Sequence, residues 1–263
     1  YGSPLGQDTL AGALVLDVNS GEVLAYAGGV GQTASQPGSL LTPFVALSGF
    51  ARGMGPGSLV WDIPQSLPED LAGMQNPDGS FHGPQRLRTA LANDDLAPFA
   101  HLLEQVGPST VWRMADPLGL HGLERSAAPL ALLYQGGDVS PLAIAQAYAV
   151  FARLGQQTGE PDPNGGLKPV LVRTVQGNDG TLLQEFPPVQ TLNVLAPELA
   201  YLVHDILRDA AARRSEPGDV DPLELERPSA GKLGQADGGR QVWAVGYTPQ
   251  RLALAWLGTP PES

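Results

Sequence analysis

The sequence predicts a mixed α+β domain, and three observations carry that prediction: apolar runs paired about a turn at each end of the chain, helical patterns between them, and enough apolar residues for a full-sized core. At the N-terminal end, Ala13 to Val18 and Val23 to Ala27 flank an Asn19-Ser20-Gly21 turn, a hairpin signal. Helical spacing of apolar positions follows over Pro43–Arg52, Leu96–Val106, Pro141–Leu154 and Pro197–Arg214. In the last of these Pro197 suits a first turn, and Arg208, Arg213 and Arg214 suit a C-terminus. Between the last two helices, "KPVLVRTVQGNDGTLLQEF" reads as a hairpin about Asn178-Asp179-Gly180. Two Gly-, Pro- and acid-rich stretches, Gly155–Gly166 and Ser215–Pro228, read as surface loops. The chain closes on two more strands about Thr248-Pro249-Gln250. Terminal strands then share one sheet, with the helical middle packed on or beside it.

Composition removes several function classes. With 42% hydrophobic residues in 263, the chain supports one large domain or two small ones. A net charge of −12, with 15 Lys and Arg among 27 Asp and Glu, gives no basic stripe for a phosphate backbone, so nucleic acid is not an expected partner. The absence of cysteine excludes disulfides, thiolate metal sites and Cys nucleophiles. No apolar run approaches the ~18 residues of a bilayer span. A start at Tyr1 suggests a fragment, with any anchor upstream. No metal or other cofactor is expected: His82, His101, His121 and His204 show no metal-pair spacing, the Asp94-Asp95 pair has no evident partner, and "GGVGQ" lacks the dinucleotide pattern.

Two motifs carry chemistry. In "QPGSLLTPF", Ser39 precedes a helix, where its first reading is an N-cap. Its functional reading is a nucleophile needing a base one turn on, where Thr42 stands instead. "AGKLGQ" holds Lys232, one of two lysines with Lys168. It reads either as a solvated turn lysine or, with Leu233 and Gly234, as the edge of a substrate groove whose backbone Gly234 leaves open to a peptide.

Taken in order, "GALVLDVNSGEVLAYAGG", "QPGSLLTPFVALSGFARG", "NPDGSFHGPQRLRTAL", "LYQGGDVSPLAIAQAYAVFARLG" and "ERPSAGKLGQADGGRQVWAVGYTPQRLALAWLG" resemble the transpeptidase domain of class A penicillin-binding proteins, the peptidoglycan synthases, over nearly the whole chain. The resemblance implies a β-lactamase-like fold: a five-stranded antiparallel sheet flanked by helices on both faces, plus an all-helical part. Residues 1–40 and about 168–263 would form mainly the sheet portion of this single 1–263 domain, and about 41–167 mainly the helical portion. It also implies an extracytoplasmic place in cell wall synthesis, in the periplasm or at the cell surface. A parent chain with an upstream glycosyltransferase domain and an N-terminal membrane anchor would be expected, with peptidoglycan stem peptide or other wall-synthesis proteins as partners.

The departures from the family pattern bear on activity. Ser39 keeps the nucleophile position, but Thr42 replaces the base lysine. Asp94 and Leu96 replace the Ser and Asn of the second motif, while Lys232 and Gly234 keep the third motif around Leu233, which replaces its Thr. Loss of a positioned general base costs about 10²- to 10⁴-fold in rate, and breaking a nucleophile-base unit about 10⁶. The expectation is a pseudo-transpeptidase with a vestigial Ser39 that acts as scaffold or peptide-binding module. The alternatives are an active acyltransferase with Asp94 or Lys232 as a rearranged base, and a structural domain whose groove Leu96 and Leu233 close.

Overall fold

A computed structural model describes residues 10–28, 35–64, 76–126, 128–163, 165–213 and 221–258. In chain order the elements are β1 (Leu10–Asp17), β2 (Val23–Gly28), a 3₁₀ turn (Gly38–Leu41), α1 (Thr42–Phe50), β3 (Leu59–Asp62), β4 (Gly83–Arg86), α2 (Leu87–Asn93), α3 (Leu96–Val106), α4 (Pro108–Ala115), α5 (Ala131–Tyr134) and α6 (Pro141–Ala152). Then come β5 (Gln156–Pro161), β6 (Leu167–Lys168), β7 (Thr174–Gln176), β8 (Leu182–Glu185), β9 (Gln190–Asn193), α7 (Pro197–Leu207), α8 (Ala210–Arg213), β10 (Ala230–Ala236), β11 (Gln241–Tyr247) and β12 (Arg251–Gly258).

The two ends of the chain meet in one antiparallel five-stranded sheet of order β10-β11-β12-β1-β2. Strand alternation explains its two faces. Leu14, Leu16, Val245, Leu252 and Leu254 point inward and are buried with residues of α6 and α7. On the other face, Ala27, Ala13, Ala255, Ala244 and Leu233 align as cross-strand neighbours across all five strands. Among the described residues helices pack on the inner face alone; the second helical layer that the resemblance implies is not among them.

α1 sits at the centre of the helical part. Every one of its nine residues is buried, because α3, α4 and α7 pack around it. Phe44, Tyr148 and Phe151 pack there, ring centroids 5.4–5.8 Å apart, and lock α6 against α1.

Two expectations need correction. Gly155–Gly166 is not simply a surface loop, because Gln156–Pro161 forms β5, pairs with β9, and buries Gln157 and Thr158. Within the helix expected over Pro197–Arg214, α7 ends at Leu207 and the chain turns again at Ala210 as the single turn α8, while Arg214 lies outside the described residues. Of the Ser215–Pro228 stretch, residues 215–220 lie outside the described residues.

Candidate active site

Three elements converge on Ser39. The 3₁₀ turn that carries it lies against β10, and the fit depends on two glycines. A Cβ on Gly38, whose φ is +50°, would stand 2.2 Å from the Gln235 carbonyl oxygen; one on Gly234 would stand 2.7 Å from Leu40 Cγ. Tyr148 pins the same turn from α6 by donating its hydroxyl to the Leu40 carbonyl at 2.7 Å.

Asp94 comes from the third element, the end of α2. It takes a left-handed conformation (φ 63°, ψ 32°) that Asp tolerates better than most residues, and its backbone N–H closes the helix on the Ala90 carbonyl. The turn brings its carboxylate to the serine: Ser39 Oγ donates to Asp94 Oδ2 at 2.5 Å and accepts from the Gln235 backbone N–H at 2.8 Å. Lys232 reaches inward from β10, where its Nζ donates to Asp94 Oδ1 and, at 2.7 Å, to its neighbour's carbonyl at Leu233.

The cluster is sealed. Ser39 is 0% and Lys232 1% exposed. Burial pushes the Asp94 carboxyl above the usual range, against the pull of Lys232 and the hydrogen bond from Ser39. Beside the cluster, a cleft of about 330 Å³ runs between α2 and β10, with Asn93, Asp94, Leu223, Lys232, Leu233 and Gln235 among its lining.

These positions revise several sequence readings. Ser39 is no helix cap: it lies within the 3₁₀ turn, and its side chain bonds Asp94 and Gln235 instead of first-turn amides. Thr42 donates its hydroxyl to the Ser39 carbonyl at 2.8 Å and offers no base. Lys232 is buried, not a solvated turn residue. Gly234 makes room for Leu40, so its missing Cβ serves the packing of the 3₁₀ turn on β10. Leu96 is buried in the core at the start of α3, and Leu233, by strand alternation, faces away from Ser39 and stays 46% exposed, so neither closes the groove. Gln235 was missed, because a backbone N–H leaves no residue signature.

The five-stranded sheet and the convergence of the three motif segments give the frame for comparison. The family model described as the penicillin binding protein transpeptidase domain matches residues 11–257. This chain belongs to that family. Similar penicillin-binding proteins 1A are those of Neisseria cinerea, 27% identical over 97% of this chain and 32% of the relative, and of Aquifex aeolicus, 30% identical over 95% and 34%. The chain thus spans about a third of the curated penicillin-binding proteins that it matches. Solved structures of the same fold include penicillin-binding protein 1A from Haemophilus influenzae, with TM-score 0.76 and 20% identity over 97% of this chain and 44% of that one. Another is PonA1 of Mycobacterium tuberculosis in complex with penicillin V, with TM-score 0.74 and 21% identity over 98% and 71%.

Proposed function

We propose that this is a penicillin-binding-protein transpeptidase-like domain of cell wall synthesis that has lost acylation and acts as a scaffold or peptide-binding module. One observation carries the reading: the serine at the nucleophile position is wholly buried, and the lysine that could activate it is already engaged by Asp94. Ser39 Oγ holds two hydrogen bonds, and Lys232 is paired to Asp94 rather than to Ser39. A serine hydroxyl without a free base is a poor nucleophile at neutral pH. The cleft beside Asp94 and Lys232 supports the peptide-binding half of the proposal, because it presents a strand edge, polar groups and the exposed Leu233 to an extended chain.

Stem peptide is the proposed occupant. In this reading the domain works outside the cytoplasm, in periplasm or at the cell surface, within a longer membrane-anchored chain that carries a glycosyltransferase domain. Support comes from relatives about three times its length. Among the described residues no helix is long and apolar enough to cross a membrane. The test is incubation with a fluorescent penicillin: no labelled band is expected, and a band absent from Ser39→Ala would overturn the inactive reading.

A second reading has its own observation, the 2.5 Å contact from Ser39 Oγ to Asp94 Oδ2, short enough for Asp94 to take the serine proton. On that reading Ser39 becomes reachable when the turn bearing Asp94 moves, and labelling disappears in both Ser39→Ala and Asp94→Asn.

A further inference from the structure

A second charged cluster lies on the far side of the Asp94-Asp95 turn, built from segments that sequence reading left unconnected. Asp62, at the end of β3, is fully buried and accepts from His82 N at 2.8 Å, from His82 Nδ1 at 2.8 Å, and from Asn76 Nδ2 at 2.9 and 2.8 Å. Asn76 turns its other amide atom on the start of α3, where Oδ1 accepts from Leu96 N at 2.8 Å. Asp95, also buried, accepts from Gln85 Nε2 at 2.9 Å and holds Oδ1 4.0 Å from His82 Nδ1. On the open side of the ring, His82 Nε2 meets Asp78 Oδ2 at 3.0 Å.

Both ring nitrogens of His82 therefore face carboxylate oxygens. A neutral imidazole carries one N–H, so in that form its other nitrogen would set a lone pair against a carboxylate. Only the imidazolium satisfies both contacts, and among the described residues it is the single cation with the titratable groups that face the ring: Asp62 from β3, Asp78 from the turn after Asn76, and Asp95 from the turn before α3. The cleft above the ring, about 510 Å³, adds uncharged Thr89 and Asn93 from α2 and Ala211 and Ala212 from α8.

We propose that His82, as an imidazolium, is a proton-dependent positioning residue that clasps the Asp94-Asp95 turn to the β3–β4 hairpin, so that proton loss at His82 frees the turn carrying Asp94. The turn needs such a clasp, because Asp94 sits in a left-handed conformation and its neighbour Asp95 is a buried carboxyl whose one side-chain donor among the described residues is Gln85. Without the cation, three carboxylates face one another across the ring and repel. The pKa directions agree: His82 is raised, first by its hydrogen bond to Asp62, and Asp95 is raised by burial to about 6. The inference is independent of whether Ser39 can be acylated, since it concerns where the turn sits.

The experiment is NMR on the whole chain in chelator-containing buffer from pH 5 to 8.5, following the His82 ring and the exchange protection of the Leu96 amide after correction for intrinsic exchange. His82 should titrate above the ordinary histidine value near 6.5. Leu96 protection should fall on the same curve, by up to about tenfold for each unit by which the His82 pKa in the closed turn exceeds that in the open one. Asp78→Asn, which changes only the solvent-side partner, should shift both curves to lower pH. His82→Gln should flatten the protection curve. The proposal is overturned if His82 titrates at its free value, or if Leu96 protection in wild type does not follow the ring, a result readable even should His82→Gln fail to fold.

Discussion

Replacing Lys232 with Met tests whether the buried cluster is held as an ion pair. Methionine keeps the length and bulk of the lysine stem, so packing along β10 changes little. What is lost is the cation on Asp94 Oδ1, in a place where the two side chains are only 1% and 8% exposed. A buried carboxylate left without its partner takes up a proton rather than remaining charged. Each pH unit above its unfolded value, about 3.9, costs about 1.36 kcal/mol, so keeping Asp94 neutral at pH 7 costs up to about 4 kcal/mol, and at pH 5 only about 1.5. The sign follows: in the variant the folded pKa of Asp94 is raised further, so its stability relative to wild type is highest below pH 4 and falls as pH rises towards that pKa. For a domain of this size 1 kcal/mol moves Tm by about 2–4 °C, which places the variant up to about 8–16 °C below wild type at pH 7. Thermal unfolding of both proteins from pH 5 to 8 reads the difference, and contributions common to both, such as those of His82, cancel. A Tm gap that is the same at pH 5 and pH 7 would refute the ion pair, because it would mean that Asp94 is already neutral beside Lys232.

Three further substitutions probe the same frame by chemical denaturation. Ser39→Ala removes the acceptor of the part-buried Gln235 N–H and the donor to Asp94 Oδ2, at an expected cost of about 1–3 kcal/mol; no loss would mean that those bonds do not hold the turn against β10. Gly234→Ala forces a methyl to 2.7 Å from Leu40 Cγ and should cost about 1–3 kcal/mol, whereas a neutral result would show that the 3₁₀ turn can retreat from the strand. Tyr148→Phe leaves the Leu40 carbonyl without its donor, again at about 1–3 kcal/mol, and an unchanged midpoint would show that water replaces the hydroxyl.

Elements whose own residues set their limits were legible. Leu96–Val106 is helical over the expected residues, since the apolar spacing starts with Leu96 and Gly107 stops it. The turn at Thr248 lies where expected, with Thr248 N donating to the Arg251 carbonyl at 2.8 Å. Elements set by distant partners were not. Gln156–Pro161 looks like a loop from its Gly, Glu and Pro, yet β9, about thirty residues on, draws it into a strand.

The site divides in the same way. Motif order singled out Ser39, Asp94 and Lys232, and the fold brings together residues 55 and 138 positions apart. Their roles were less legible, because a cap and a buried, bonded serine share the same local sequence. His82, Asp62 and Asp95 gave no signal at all: the sequence separations are 20 and 13 residues, and only the β3–β4 pairing and the α2–α3 turn make them neighbours.

The most direct test of the central claim is intact-mass measurement of the protein after prolonged exposure to benzylpenicillin, with Ser39→Ala alongside. A sealed, engaged Ser39 predicts an unchanged mass in both proteins. A covalent penicilloyl adduct on wild type that Ser39→Ala lacks would contradict it.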